Sequence, residues 1–207
     1  NIGIRHVLPT FPFIYILIAR GTVSWIRNSL APLQTEWAPV PTGWKEIRNM
    51  LAIIYKATPR YALIALLLIW LVTGTLTTTP AFLSFYNELA GNTPQGWRIA
   101  VDSNYDWGQD LKRLTDFVQQ NNIQKIAVDY FGGGVPKYYL GDRVEPWWSS
   151  RGQPKGWFAI SATFRQGALG TPAPGFIRKP EDNYEWLAKY PPIARAGYSI
   201  FIYKLPE

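Results

Sequence analysis

The longest apolar stretch of the chain lies between Tyr61 and Asn87, where no residue is charged. Its first part, residues 61–79, consists mainly of Leu, Ile, Ala and Val. A helix of this length, rising about 1.5 Å per residue, matches the hydrocarbon thickness of a bilayer. The pattern therefore predicts a transmembrane helix over about residues 60–79, since a buried helix of a soluble protein rarely stays uncharged for so long.

A second apolar stretch predicts an earlier transmembrane helix over about residues 7–26. It contains two prolines, and Arg20 lies near enough to one end for its long side chain to reach the membrane surface. A re-entrant segment is the alternative interpretation. We therefore expect a membrane region over residues 1–80, with two transmembrane helices.

The segment that links the two expected spans is basic, because residues 20–60 hold six Lys or Arg against two Glu. Positive residues beside a span favour the cytoplasmic side of the membrane. We therefore expect a cytoplasmic connecting loop and an extracytoplasmic domain over residues 81–207. Apolar residues at helical spacing between Trp44 and Ile54 predict an amphipathic helix inside this loop.

Beyond residue 80, short alternating segments predict a small α/β domain with a mixed sheet. The expected strands are residues 97–101, 126–131, 157–164 and 198–203, with 193–196 pairing with the last strand or extending it. Apolar spacing from Trp107 to Val118 predicts a helix, so the first two strands and this helix would form a parallel βαβ unit. A short helix is expected over 181–188, and a long loop or lid over 132–156.

Charge and composition then limit the function classes. Residues 1–79 carry seven Lys or Arg against two Glu, whereas residues 80–207 carry fourteen basic and twelve acidic side chains. The basic excess therefore belongs to the membrane-flanking half, which argues against a nucleic-acid surface on the folded domain. The chain has no cysteine, which excludes thiolate catalysis, and its one histidine, His6, lies outside the expected α/β domain.

An acidic loop follows the first expected strand. Asp102, Asn104 and Asp106 occupy positions 1, 3 and 5 of a calcium-loop pattern, but the Gly and the bidentate Glu of that pattern are missing. A divalent cation or a sugar hydroxyl is one interpretation, and no cofactor is assigned. Helix capping is the other, because Asp106 with Gln109 matches a capping box and Asp110 suits the helix dipole.

Two further motifs have both a binding and a structural interpretation. The glycines at 132–134 could cradle a phosphate with their backbone N–H groups, or form a turn, since no Lys-Ser/Thr continuation follows. Trp147 and Trp148 could stack on sugar rings, lie at the membrane interface or be buried.

Several blocks of the sequence resemble a known family. They are residues 1–9 (NIGIRHVLP), 85–91 (FYNELAG), 102–111 (DSNYDWGQDL), 156–161 (GWFAIS) and 196–203 (AGYSIFIY). In these blocks the chain resembles the C-terminal region of bacterial glycosyltransferases similar to dolichyl-phosphate-mannose protein mannosyltransferases. The blocks are spread over most of the chain. The block 102–111 is the most specific.

The resemblance implies a multi-span GT-C enzyme of the bacterial plasma membrane, which takes a sugar from a polyprenyl phosphate on the outer face and passes it to a glycan or protein acceptor. In such enzymes the catalytic acid lies in the first external loop. This chain is expected to start after that loop, so no catalytic residue is carried over, and the fragment alone is expected to be inactive.

By position in the resembling blocks, Arg5 and His6 would approach the lipid phosphate, because Arg binds phosphate in a bidentate fork. Interfacial anchoring is the alternative for this pair. The residues expected over the mouth of the active site are Asn87, Glu88, Asp102, Asn104, Asp106, Trp107 and Asp110. Two alternatives to the transferase stay open. The first is a membrane-anchored glycan-binding or assembly module without catalysis, and the second is a free-standing hydrolase.

Overall fold

The computed structural model describes residues 7–30, 43–172, 175, 177 and 184–207. The chain divides into two compact units, one ending at Thr77 and the other beginning at Thr78. The first unit is helical, and the second is a small α/β domain.

The first unit contains the helices α1 (Phe11–Leu30) and α2 (Trp44–Thr78). Among the described residues, α2 is the one helix that is long and apolar enough to cross a membrane, by its length and composition. Apolar side chains along it are exposed, for example Leu66 and Leu71, at 63% and 66% of their surfaces. In a bilayer, lipid would cover these side chains. In water, their exposed apolar surface would be unfavourable by about 25 cal/mol per Å².

The start of α2 differs from the prediction. The sequence placed the beginning of the span near residue 60, after a separate amphipathic helix between Trp44 and Ile54. The structure joins both segments into one helix of 35 residues, with Pro59 inside it. Proline removes one backbone donor and can kink a helix, but it need not end one that is flanked by helix-forming segments.

The helix α1 covers most of the other predicted span. It has 20 residues and includes Arg20 and Arg27, and it does not reach the apolarity that marks α2 as a candidate span. The described residues therefore show one candidate span where the sequence predicted two. The two helices are linked where Arg60 donates a hydrogen bond to the Trp25 carbonyl at 2.8 Å and its guanidinium stacks 5.2 Å from the centre of the Trp25 ring.

The α/β domain is built on a mixed sheet of five strands, which confirms the predicted class of this unit. The strands are β1 (Ile126–Asp129), β2 (Val144–Pro146), β3 (Gly156–Ser161), β4 (Ala194–Ala196) and β5 (Ile200–Leu205). Their order is β2-β1-β3-β5-β4. The central strand β1 is parallel to β2 and β3, whereas β5 is antiparallel to β3 and β4.

The strand predicted over residues 97–101 is wrong. Residues Thr93–Arg98 form a 3-10 helix, and Trp97 packs against one face of the sheet. The predicted βαβ unit therefore does not form. Pro94 lacks a backbone donor, and the close approach of the Tyr86 ring to Gly96 leaves no room for a side chain there, so this segment suits a turn better than a strand.

The remaining elements agree with the sequence in part. The helix predicted from residue 107 is α3 (Leu111–Gln120). The last three residues of the strand predicted over 157–164 belong to a helix, α5 (Ala162–Leu169). The region predicted as a loop contains α4 (Pro136–Leu140) and β2. A 3-10 helix, Glu185–Lys189, lies in the helix predicted over 181–188, of which 181–183 fall outside the described residues. The pairing of 193–196 with the last strand is confirmed by β4.

Each face of the sheet carries its own apolar core, because successive side chains of a strand point to opposite sides. On one face, Leu114 and Val118 of α3 are buried against strand residues that include Ile202. On the other face, an aromatic core contains Phe158 and Tyr203. Full burial of one such side chain contributes about 2 kcal/mol, so both layers stabilise the sheet on which the candidate site is built.

Candidate functional site

The carboxyl ends of β1 and β3 meet at one edge of the sheet, the place where α/β proteins commonly bind ligands. The two ends are joined, because the Phe131 N–H donates a hydrogen bond to the Ser161 hydroxyl at 2.9 Å. The acidic loop, residues 102–110, contacts the same edge through hydrogen bonds and close backbone packing. The acidic loop therefore lies at the edge of the sheet where ligands commonly bind.

Asp106 ties the acidic loop to the start of α5. Its buried carboxylate accepts hydrogen bonds from the Thr163 N–H and hydroxyl, both at 3.2 Å, and from the Gly108 N–H at 3.1 Å. The Thr163 hydroxyl also accepts a hydrogen bond from the Asp102 N–H at 3.1 Å. Burial raises the pKa of Asp106, and these donors partly offset that rise. The carboxylate of Asp106 therefore serves the loop's own structure.

Two glycines bring the acidic loop against the end of β1. A Cβ built on Gly108 or on Gly132 would lie 2.8 Å from the Cα of the other residue, so neither position accepts a larger residue without movement. Gly108 has a φ of +75°, and its carbonyl accepts a hydrogen bond from the Tyr130 hydroxyl at 2.7 Å. Packing thus accounts for the first glycine of the run at 132–134.

Asp110 holds the turn between β4 and β5. Its buried carboxylate accepts hydrogen bonds from the N–H groups of Tyr198 and Ser199, both at 2.9 Å, and pairs with Arg113. Gly197, at φ +58°, opens this turn directly against the carboxylate. Asp110 therefore links the start of α3 to the antiparallel side of the sheet, although these two parts are far apart in the chain.

The predicted capping box does not form. The helix α3 begins at Leu111, and neither Asp106 nor Asp110 caps it through its side chain. Gln109 instead accepts a hydrogen bond from the Trp107 N–H at 2.8 Å and donates one to the Ser84 hydroxyl at 2.8 Å. The box fails because the loop's tertiary contacts hold Asp106 away from the first turn of the helix.

The other predicted site residues are more accessible. Asn87 is exposed, and its side chain accepts a hydrogen bond from the Ala90 N–H at 3.3 Å, next to the exposed Glu88. Trp107 leaves 49% of its surface exposed. Asp102, with a φ of +55°, and Asn104 are half-buried. Arg5 and His6 lie outside the described residues.

The acidic side chains of the loop do not gather at one point in the described part of the chain. Within the described part of the chain, no three His, Asp or Glu side chains converge closely enough to hold one. Two of the carboxylates concerned, those of Asp106 and Asp110, already accept hydrogen bonds from the protein itself.

Asp129 is a candidate residue that the sequence patterns did not single out. It is the last residue of β1, and the buried Tyr184 donates a hydrogen bond to its carboxylate at 2.5 Å. Burial raises the pKa of Asp129, the hydrogen bond from Tyr184 partly offsets this rise, and the resulting pKa is about 6. A carboxyl group that titrates near neutrality can exchange protons at physiological pH. Its place at the carboxyl end of a parallel strand is the signal that could have indicated it.

Comparisons with protein-family models, with curated proteins and with solved structures find no match to this chain.

Proposed function

We propose that the chain is the C-terminal part of an integral membrane glycosyltransferase that uses a polyprenyl-phosphate-linked sugar. In this proposal the α/β domain binds and positions a substrate, and the catalytic acid lies outside the chain. The reaction class rests on the resemblance of the blocks quoted above, above all residues 102–111.

The membrane part of the proposal is supported by α2, whose apolar side chains are exposed along a helix long enough to span a bilayer. The finer arrangement belongs to the proposal. In it, α1 provides a second span, residues 20–60 (the basic connector) face the cytoplasm, and the α/β domain lies outside the bacterial plasma membrane. The positive-inside rule supports this orientation, because the connector holds most of the positive charge of the first unit.

One observation supports a positioning role over a catalytic one. The two most buried acids of the acidic loop, Asp106 and Asp110, already accept hydrogen bonds from several groups of the protein, which favours a structural role for them. The exposed side chains of the same region, Asn87, Glu88 and Trp107, are those that a sugar or an acceptor can reach. An exposed indole offers a flat apolar face of the kind that stacks on sugar rings.

The same observation also favours a second candidate, a membrane-anchored module that binds glycan or a partner without catalysis. Structural use of the loop acids is equally expected in a binding domain. The two candidates differ in whether a sugar is transferred.

The test uses membranes that contain the full-length protein and a polyprenyl phosphate carrying a radiolabelled sugar. We expect transfer to an acceptor, and we expect Trp107→Ala to raise the acceptor KM by about threefold to tenfold with little change in kcat, because a stacking contact contributes about 0.5–1.5 kcal/mol to binding. Tyr138→Ala is the matched control, since Tyr138 is an exposed aromatic residue of α4. An unchanged KM would remove the role of Trp107. Glycan binding without any transfer would favour the second candidate.

A further inference from the structure

Three arginines from distant parts of the chain surround one aromatic pair. Trp97 and Phe201 lie edge to face with ring centres 5.3 Å apart. The guanidinium carbons of Arg98, Arg165 and Arg195 lie 5.2, 4.7 and 5.7 Å from the centre of the Trp97 ring. Those of Arg165 and Arg195 also lie 4.6 and 4.2 Å from the centre of the Phe201 ring. These three residues are called the arginine cluster below.

The fold places the arginine cluster on the aromatic face of the sheet. Arg195 belongs to the edge strand β4 and pairs in register with Phe201 of β5. Arg165 reaches the same rings from α5, and Arg98 ends the 3-10 helix Thr93–Arg98. Arg98 is exposed and the other two are half-buried, so the cluster opens to solvent on one side.

Positive charge is concentrated here, and no carboxylate of the described residues forms an ion pair with it. Among the described residues, the ion pairs engage Arg113, Arg151 and Lys204, and none engages the arginine cluster. Two cluster members have neutral partners: Arg165 donates to the Tyr203 hydroxyl at 2.7 Å, and Arg195 donates to a backbone carbonyl at 2.8 Å. Each guanidinium has five N–H donors, so most of the donors of the cluster have no acceptor among the described residues.

Electrostatics within the cluster is unfavourable without an anion. Burial lowers the pKa of Arg195, and repulsion from Arg165 and Arg98 lowers it further. The guanidinium nevertheless stays charged at neutral pH, so the repulsion persists. Stacking on aromatic rings contributes about 0.5–2 kcal/mol per arginine, but it does not supply a counter-charge. The buried indole N–H of Trp97 adds another donor, for which the described residues provide no acceptor.

We propose that the arginine cluster binds a phosphate-type oxyanion, either the phosphate of a soluble ligand or that of a lipid headgroup. Planar guanidinium groups donate pairs of parallel hydrogen bonds to phosphate oxygens, and three of them can neutralise one phosphate or pyrophosphate. The proposal does not depend on glycosyl transfer, since binding is measured directly.

The test for a soluble ligand is isothermal titration calorimetry of the whole chain in phosphatidylcholine nanodiscs, with inorganic phosphate and pyrophosphate as probes. We expect Arg98→Gln and Arg195→Gln each to weaken binding about tenfold, as the loss of one charge-assisted contact would. Arg98→Gln is the safer variant for folding, because Arg98 is exposed. Arg151→Gln is the matched control: Arg151 also stacks on two tryptophans, at 4.1 and 5.0 Å, but it pairs with Glu145.

The test for a lipid headgroup uses the same variants in nanodiscs that contain phosphatidylglycerol, with bound lipid counted by native mass spectrometry. Retention of phosphatidylglycerol by the unmodified chain and by Arg151→Gln, with loss in Arg98→Gln, identifies a headgroup as the ligand. Binding of pyrophosphate without lipid retention identifies a soluble ligand. The proposal is overturned if none of these probes binds, or if Arg151→Gln weakens binding as much as Arg98→Gln does.

Discussion

Asp106 and Thr163 are 57 positions apart in the chain, and the carboxylate of the first accepts both the N–H and the hydroxyl proton of the second, at 3.2 Å each. The same hydroxyl accepts the Asp102 N–H. One threonine side chain therefore holds the acidic loop at two points on the carboxyl edge of the sheet. This contact holds the loop, whereas neither Asp106 nor Asp110 caps α3 through its side chain.

Thr163→Val should destabilise the α/β domain by about 1–2 kcal/mol, because the isosteric side chain removes one donor to a buried carboxylate and one acceptor for a backbone N–H. Thermal unfolding of the whole chain in detergent, followed by near-ultraviolet circular dichroism, measures the change. Thr115→Val is the control, since the Thr115 hydroxyl donates only to the Leu111 carbonyl of its own helix, at 3.1 Å. Equal loss in both variants would contradict the special role of Thr163.

Asp110→Ala should destabilise the domain by about 3 kcal/mol, since it leaves the Tyr198 N–H, the buried Ser199 N–H and Arg113 without their shared acceptor. Gly197→Ala should also destabilise, because a Cβ at Gly197 meets the Asp110 carboxylate and φ is +58°. When Asp110→Ala is already present, Gly197→Ala should destabilise the domain less than it does alone, because the carboxylate that its Cβ would meet is gone. Gly133→Ala, where a Cβ meets nothing within 4 Å, is the control. Strictly additive effects would argue against the contact.

The stability of the domain should fall as pH rises from about 4 to about 6. Asp129 has a folded pKa of about 6, above the value of about 3.9 in an unfolded chain, so the folded state binds more protons in that window. Asp129→Asn should reduce this pH dependence, leaving the part that the raised pKa of Asp106 contributes, and should relieve about 2 kcal/mol at pH 7.5, after allowance for solvent screening. Tyr184→Phe should extend the window upward, because it removes the donor that lowers the pKa of Asp129. Stability measured across pH 4–8 checks both, and an unchanged profile in Asp129→Asn would refute the assignment.

The absence of cysteine from the sequence makes sidedness directly measurable. Single cysteines replace Leu89, which is 97% exposed in the α/β domain, and Gly43, where a Cβ meets nothing within 4 Å. In intact cells, a membrane-impermeant maleimide should label Leu89→Cys and not Gly43→Cys, because the basic connector is proposed to be cytoplasmic. Both should react after cell lysis. The reverse pattern would invert the orientation and with it the proposed access to outer-face lipid donors.

Leu68→Arg should reduce membrane insertion, since an arginine near the centre of a span costs about 2.5–3.5 kcal/mol. Leu51→Arg, at a leucine of the same helix with similar exposure, should have little effect because it lies between Arg48 and Lys56. The fraction of protein that resists alkaline extraction from membranes measures the difference. Full extraction of the unmodified chain would show that α2 does not span the bilayer.

Local patterns in the sequence were sufficient for the elements whose signal is strong and continuous. The uncharged run after Tyr61 predicted the apolar part of α2, and short alternating segments predicted the core of β3 and most of β5. Pairing with the last strand was one of two interpretations of residues 193–196, and β4 confirms it. The strand predicted over residues 97–101 failed because Trp97 and Val101 pack against the aromatic core from a 3-10 helix and the turn after it, while Ile99 is exposed. A short apolar run fits either geometry, and only neighbours from elsewhere in the chain decide between them.

The candidate site shows the same division more sharply. The sequence alone determined that acids crowd residues 102–110, that cysteine and histidine chemistry is absent from the α/β domain, and that basic charge flanks the apolar helices. The tertiary structure decided that Asp106 and Asp110 accept hydrogen bonds from distant parts of the chain, and that Tyr184 donates to Asp129. It also brought Arg165 and Arg195 to the Trp97 ring, beside Arg98. Hydrogen bonds and charge repulsion act over a few ångströms, and separation along the chain does not reveal which side chains folding brings within that range.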